Sequence, residues 1–213
     1  MSELGRQLVE GAGLLHWTLA MEKQVGARVA MVMGDKMLLS AFERFGAQVF
    51  RRSSIFHGLA QFLVDNKISG ECCLEIGTWN GLTAAVLSRH FRRVVTLDIA
   101  HNAIKHEILD HLGIKNVECV DIEGNEDKPV VMENLRKRGL IVDCAYLDGN
   151  HAEDTEEDWA LTRDCCRVLF HEVWPFQSPV WGLVHSLPQY QVKHGGFGLA
   201  LWDGSLPPPP GSL

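Results

Sequence analysis

The sequence predicts an α/β protein built on a mainly parallel sheet with helices on both faces, and three observations carry that expectation. From Gly70 onward, short apolar runs alternate with helical periodicity at 72–76, 82–91, 93–98, 102–112, 116–121, 129–138 and 141–147. Such alternation is how parallel strands joined by crossover helices appear in a chain. The first run, Cys72-Cys73-Leu74-Glu75-Ile76, passes into Gly77-Thr78-Trp79-Asn80-Gly81 before a helix begins. The second run ends in Asp98, 21 positions after Gly77, where a carboxylate in a β-α-β unit meets ribose hydroxyls.

Residues 1–66 precede this pattern and are expected as an N-terminal helical extension. Leu8, Ala12, Leu15 and Leu19, then Phe56, Leu59, Ala60, Leu63 and Val64, recur at helical spacing. Ser53-Ser54 offers an N-cap for the second group, and Lys67-Ile68-Ser69-Gly70 closes it before the first strand. These helices could cap the sheet, cover a substrate or form a homo-oligomeric contact.

The α/β domain is expected over 67–205. Gly77 lets the chain turn sharply off the first strand, and Gly81 lets backbone approach a ligand or the next helix. Arg92-Arg93 and Arg136-Lys137-Arg138 each follow a predicted helix, where cations offset the helix dipole. His101, His106 and His111 are five apart, which turns each about 140° from the last on a helix, so they do not form a metal face. The run 141–147 ends at Asp148, followed by Gly149-Asn150-His151 and an acidic helix start. Because ligands in parallel sheets meet the carboxyl ends of strands, Gly77, Asp98, Asp148 and His151 should converge on one rim.

Beyond that helix, Cys165-Cys166-Arg167-Val168-Leu169 runs straight into Phe170-His171-Glu172-Val173. A helix-to-strand connection takes about two to six residues, so either the helix ends near Arg163 or the fifth strand is shortened. Ser178-Pro179 should start a short helix, and Gln189 to Lys193 with Phe197 to Trp202 should form an antiparallel closing pair around Gly195-Gly196. The tail 206–213, with four consecutive prolines, is expected to be disordered or polyproline-like.

The net charge of −7 argues against a nucleic-acid partner, which usually calls for a basic stripe. Six cysteines occur without a Cys-x-x-Cys pair, so structural zinc is not expected and a reducing cytoplasm is. No apolar stretch is long enough to span a bilayer.

The spacing Glu75-x-Gly77-x-x-x-Gly81, with Asp98 closing the next strand, closely resembles the first two motifs of class I S-adenosylmethionine-dependent methyltransferases, whose fold is Rossmann-like. Asp148-Gly149-Asn150-His151 resembles the Asp-Gly-Asp-His segment of a branch of family 24 type, which includes small-molecule and sugar O-methyltransferases and cephalosporin-hydroxylase-like proteins. The resemblance implies S-adenosylmethionine as cofactor, held by Glu75, Gly77, Thr78, Trp79, Asn80, Gly81, Asp98 and Asp121, with Trp79 and Asn80 at the pocket mouth. It implies His151 as general base and Asp148 as an orienting group. It also makes magnesium a candidate second cofactor on Asp148 and Glu172. The acceptor would be an oxygen of a small molecule or sugar. Two rivals remain: a catalytically inactive scaffold of the same fold, favoured by the shortened fifth strand, and a dinucleotide oxidoreductase. The second is disfavoured because the turn lacks the closely spaced glycine pair that brings a helix N-terminus to a pyrophosphate.

Overall fold

A computed structural model describes residues 36–46, 58–149, 154–173, 178–195 and 198–210. The chain divides into two units, Met1–Arg52 and Ser53–Leu213. Within the first, helix α1 (Lys36–Phe45) is described, and its Arg44 guanidinium lies 5.4 Å from the Phe45 ring centre.

The second unit opens with α2 (Leu59–Asp65), which starts behind Gly58 in a left-handed conformation. The Ser53-Ser54 cap expected from the sequence lies outside the described residues. Strand β1 (Gly70–Ile76) is buried from Cys72 onward, as a central parallel strand covered on both faces must be. Helix α3 (Leu82–Leu87) is fully buried and shorter than its predicted extent to residue 91. It stops because Phe91 already belongs to β2 (Phe91–Asp98), paired with Gly70. Arg92 and Arg93 therefore lie in a strand, and the dipole account of them is corrected. Arg92 pairs with Glu71 across the strands, and Arg93 with Glu118.

Next come α4 (Ile104–His111), β3 (Val117–Asp121), a 3-10 turn at Asn125–Asp127 and α5 (Lys128–Lys137) with proline in its first turn. Strand β4 is Cys144–Leu147, starting three residues later than expected. Ahead of it, the Asp143 carboxylate accepts the N–H groups of Glu71 and Cys72 at 2.6 and 2.9 Å, tying the approach to β1 through a side chain.

Helix α6 (Thr155–Thr162) ends early, and β5 (Arg167–Phe170) follows after four residues. Both alternatives open in the sequence thus hold together. β5 is as short as β4, yet all four of its residues pair with β4 on one side and β7 on the other. Helix α7 (Pro179–Ser186) has Ser178 as N-cap, its hydroxyl accepting from Trp181 N–H at 3.3 Å. Strands β6 (Val192–His194) and β7 (Ala200–Asp203) close the sheet antiparallel, with Gln189–Gln191 a 3-10 turn where a strand was expected to begin.

The seven strands order β3-β2-β1-β4-β5-β7-β6, parallel from β3 to β5. One sheet face carries Leu74, Ile76, Val95, Leu97, Leu147 and Phe170, packed with Met132 and Leu135 of α5 and Val180 and Val184 of α7. Alternation sends Glu75, Thr96 and Tyr146 to the opposite face, and all three are fully buried. Burial pushes the Cys119 thiol up to about 11 and Cys165 up to about 12, so both remain protonated small hydrophobes at neutral pH.

Glu118 on β3 receives both guanidinium nitrogens of Arg138, at 2.8 and 2.9 Å, as well as Arg93. The Arg138 bonds lead in holding its carboxyl down at about 2. A depressed folded pKa contributes stability above the unfolded value of about 4.3, and that contribution is lost as pH falls through the folded value. Urea midpoints for Glu118→Gln and the unmodified chain should therefore differ at pH 6 and converge between about pH 4 and pH 2. A constant difference across that window would remove Glu118 from the acid response.

Candidate functional site

Every parallel strand points its carboxyl end to the same edge, and there β1, β2 and β4 surround a cavity of about 200 Å³. Its walls include Gly77 and Trp79 from the turn after β1, Asp98 and Ile99 at the end of β2, and Ile122, Asn125 and Lys128 after β3. Asp148, Gly149 and Asp154 complete it from the β4 side.

The turn is held by its own backbone. Gly77, at φ 97°, donates its N–H to Leu97 carbonyl at 2.8 Å, and a Cβ there would run into the Asp148 carbonyl. Trp79 also takes a left-handed φ of 47°, a conformation that costs an L-residue energy and is held only by its surroundings. Here the Asp98 carboxylate accepts the Trp79 N–H, while its other oxygen accepts Ala100 N–H at 2.7 Å. Each carboxylate oxygen has two lone pairs, so Asp98 keeps acceptor capacity toward the cavity it lines.

Trp79 stands at the mouth with 46% of its surface exposed. Asn80 does not: it is buried, and its side-chain oxygen caps α3 by accepting Leu82 N–H at 3.1 Å. Gly81 is the left-handed N-cap of α3, close against Lys105. Thr78 is buried and its hydroxyl meets that of Thr96, which bonds the Glu75 carboxylate at 2.5 Å. Glu75 is fully buried with its other oxygen unpartnered. Burial pushes its carboxyl well above the usual range, the Thr96 hydroxyl opposing and Asp148 and Asp98 adding to the rise. Asp121 is turned away from the cavity and held by the buried Lys105 ammonium, whose hydrogen bond lowers its pKa. The next residue, Ile122, lines the wall instead.

Sequence reasoning did not pair His171 with Asp148. Its Nδ1 lies 2.5 Å from Asp148 Oδ1, both side chains nearly buried, and its ring faces Tyr146 at 6.4 Å. It also missed the Lys128 ammonium, which lies 2.7 Å from Asp158 and 3.8 Å from Asp154 beneath the cavity wall. No local signal announces that contact: β4 and β5 pair Leu147 with Phe170, so the residues just past each end stand side by side only once the two strands are in register. His151 lies outside the described residues.

Glu172, at φ 56°, accepts the Ser178 hydroxyl on its backbone carbonyl. Among the described residues, no three metal-binding side chains are grouped around a common point, so the magnesium site expected on Asp148 and Glu172 is not supported.

No family model matches the sequence, and no curated protein does. Solved structures do match. An O-methyltransferase from Bacillus cereus in complex with SAH aligns over 84% of this chain and 97% of its own, with TM-score 0.60 and 17% identity. A Staphylococcus aureus protein assigned as a caffeoyl-CoA O-methyltransferase aligns over 85% and 98%, with TM-score 0.58 and 15% identity. An rRNA methylase from Streptococcus thermophilus aligns over 69% and 94%, with TM-score 0.50 and 15% identity. The chain therefore has the Rossmann-like α/β fold found in methyltransferases, a mainly parallel seven-stranded sheet with an antiparallel strand near one edge. At such identities the likeness extends to the fold, and the acceptor differs among these neighbours.

Proposed function

We propose that the chain is a cytoplasmic S-adenosylmethionine-dependent methyltransferase acting on an oxygen of a small molecule or sugar. The observation that carries this is the cavity's charge. Asp98, Asp148 and Asp154 line it, and the one cation among its described lining residues, Lys128, is already taken up by Asp154 and Asp158. Such a wall suits a ligand with a sulfonium and an ammonium and repels a pyrophosphate, which separates this cofactor from a dinucleotide. No described helix is long and apolar enough to cross a membrane, and a net charge of −7 disfavours an RNA acceptor.

When bound, the cofactor supplies an electrophilic methyl group on sulfur. Asp98 binds the ribose hydroxyls, and Ile99 and Ile122 offer apolar walls for the adenine. Gly77, lacking a side chain, lets the methionine part lie against the turn, and Glu75 with Thr78 and Thr96 fixes that turn from beneath. The acceptor hydroxyl must lose a proton as its oxygen attacks the methyl. Asp148, fixed by His171, lines the cavity wall, and we assign that proton to Asp148 together with His151, three positions later in the sequence. Alignment of acceptor oxygen, methyl carbon and sulfur supplies much of the acceleration in such a transfer. The inactive-scaffold alternative drew on a shortened β5; the strand is short, at four residues, but its pairing on both sides along that whole length speaks for an intact sheet.

Calorimetric titration with S-adenosylmethionine and SAH, with NAD as control, tests the assignment. Micromolar binding of the sulfur nucleotides alone is expected. Asp98→Ala removes about two charge-assisted hydrogen bonds worth about 1.5–3 kcal/mol each, so SAH should bind at least about a hundredfold more weakly. Full affinity in that variant would place the ribose elsewhere.

A further inference from the structure

We propose that His185 and His194 form a surface site for one divalent cation of the zinc, nickel or copper class. His185 lies in the last turn of α7 and His194 ends β6, both exposed, with ring centres 5.4 Å apart. His185 Nδ1 sits 3.0 Å from the Trp181 carbonyl oxygen. A carbonyl can only accept, so Nδ1 carries the hydrogen and Nε2 carries the lone pair. That arrangement, one ring nitrogen donating to backbone and the other left for a metal, is how ligating histidines are oriented. The Trp181 ring, 3.5 Å centre to centre from His185, holds the imidazole in place. The His194 imidazole makes no hydrogen bond among the described residues.

The spacing fits a shared ion. With a metal–nitrogen bond of about 2.0–2.1 Å, the metal stands about 3.2 Å from each ring centre, and a tetrahedral angle puts two centres about 5.2 Å apart. Metal binding needs neutral imidazoles, so affinity should fall as the pH is lowered. No third histidine, cysteine or carboxylate joins the pair among the described residues, so water completes the coordination. β6 is the edge strand, three places from β4, about 14 Å at the usual strand spacing, and the site is separate from the cavity.

The test is titration of untagged protein with zinc, nickel, copper and magnesium chlorides, followed by calorimetry and tryptophan fluorescence. Cys166→Ser serves as the background because Cys166 is the exposed thiol among the described cysteines. One equivalent should bind in the micromolar range, copper tightest and magnesium not at all, with copper quenching Trp181. His185→Ala and His194→Ala should each weaken binding at least tenfold and abolish most of the quench, while His101→Ala should change neither. Both targets are exposed, so thermal midpoints should stay level. Equal affinity in the parent and either variant, or no stoichiometric binding in the parent, would overturn the proposal.

Discussion

Gly77→Ala should lower the unfolding free energy by about 2–5 kcal/mol and abolish measurable SAH binding. Two costs add. Holding an alanine at a left-handed φ costs about 1–2 kcal/mol, and Gly77 sits at φ 97°. Overpacking a tight site costs about 1–3 kcal/mol more, and the new Cβ would meet the Asp148 backbone carbonyl and approach Gly149 N at 2.9 Å. Neither is the tip of a flexible side chain, so the ends of β1 and β4 would have to separate, and those ends are cavity wall. Gly113→Ala is the control, because Gly113 also has a positive φ, 68°, but a Cβ there meets nothing within 4 Å. That variant should lose only the first cost and keep its affinity. Urea unfolding and calorimetry on both variants separate backbone conformation from collision, and equal losses would rule out the collision.

The turn was legible because its chemistry is local. An apolar strand, Gly77, Gly81 and a carboxylate closing the next strand are all readable within 27 residues, and Gly77, Trp79 and Asp98 line one cavity. The mainly parallel sheet and the antiparallel closure were legible for a similar reason, since alternation of short strands and helices leaves few topologies. What the sequence hid is pairing across elements. Asp148 and His171 are 23 positions apart, and they meet only because β4 and β5 are neighbours in register. Asp121 follows its strand as Asp98 does, but the buried Lys105 of α4 turns its carboxylate away, a contact no single segment announces. Asn80 was read as a mouth residue from its place in the turn, whereas the open N–H groups of α3 made it a cap. Helix α3 itself ended early because the ladder with β1 claimed Phe91, tertiary pairing overriding local periodicity.

Lys128→Met should destabilise the chain by about 3–5 kcal/mol at pH 8, the range measured when one partner of a buried pair is removed. Lys128, Asp154 and Asp158 are all buried, with Lys128 Nζ 2.7 Å from Asp158. Methionine fills nearly the same volume, so the loss is electrostatic: two carboxylates remain in a poorly hydrated place. Burial already pushes the Asp158 carboxyl above its usual range, with the Lys128 hydrogen bond opposing it. Removing Lys128 raises it further. A folded pKa above the unfolded value of about 3.9 makes stability rise as pH falls toward and through it, so the deficit should shrink between pH 8 and pH 5. Adding Asp158→Asn to Lys128→Met removes one stranded charge and should recover part of the loss at pH 8 but little at pH 5. Because Lys128 and Asp154 line the cavity, and a Cβ on Gly149 would lie 3.3 Å from the Asp158 carboxylate, the same variant should also weaken SAH binding. A pH-independent deficit with unchanged SAH affinity would mean that the cluster neither carries charge in the folded chain nor supports the cavity wall.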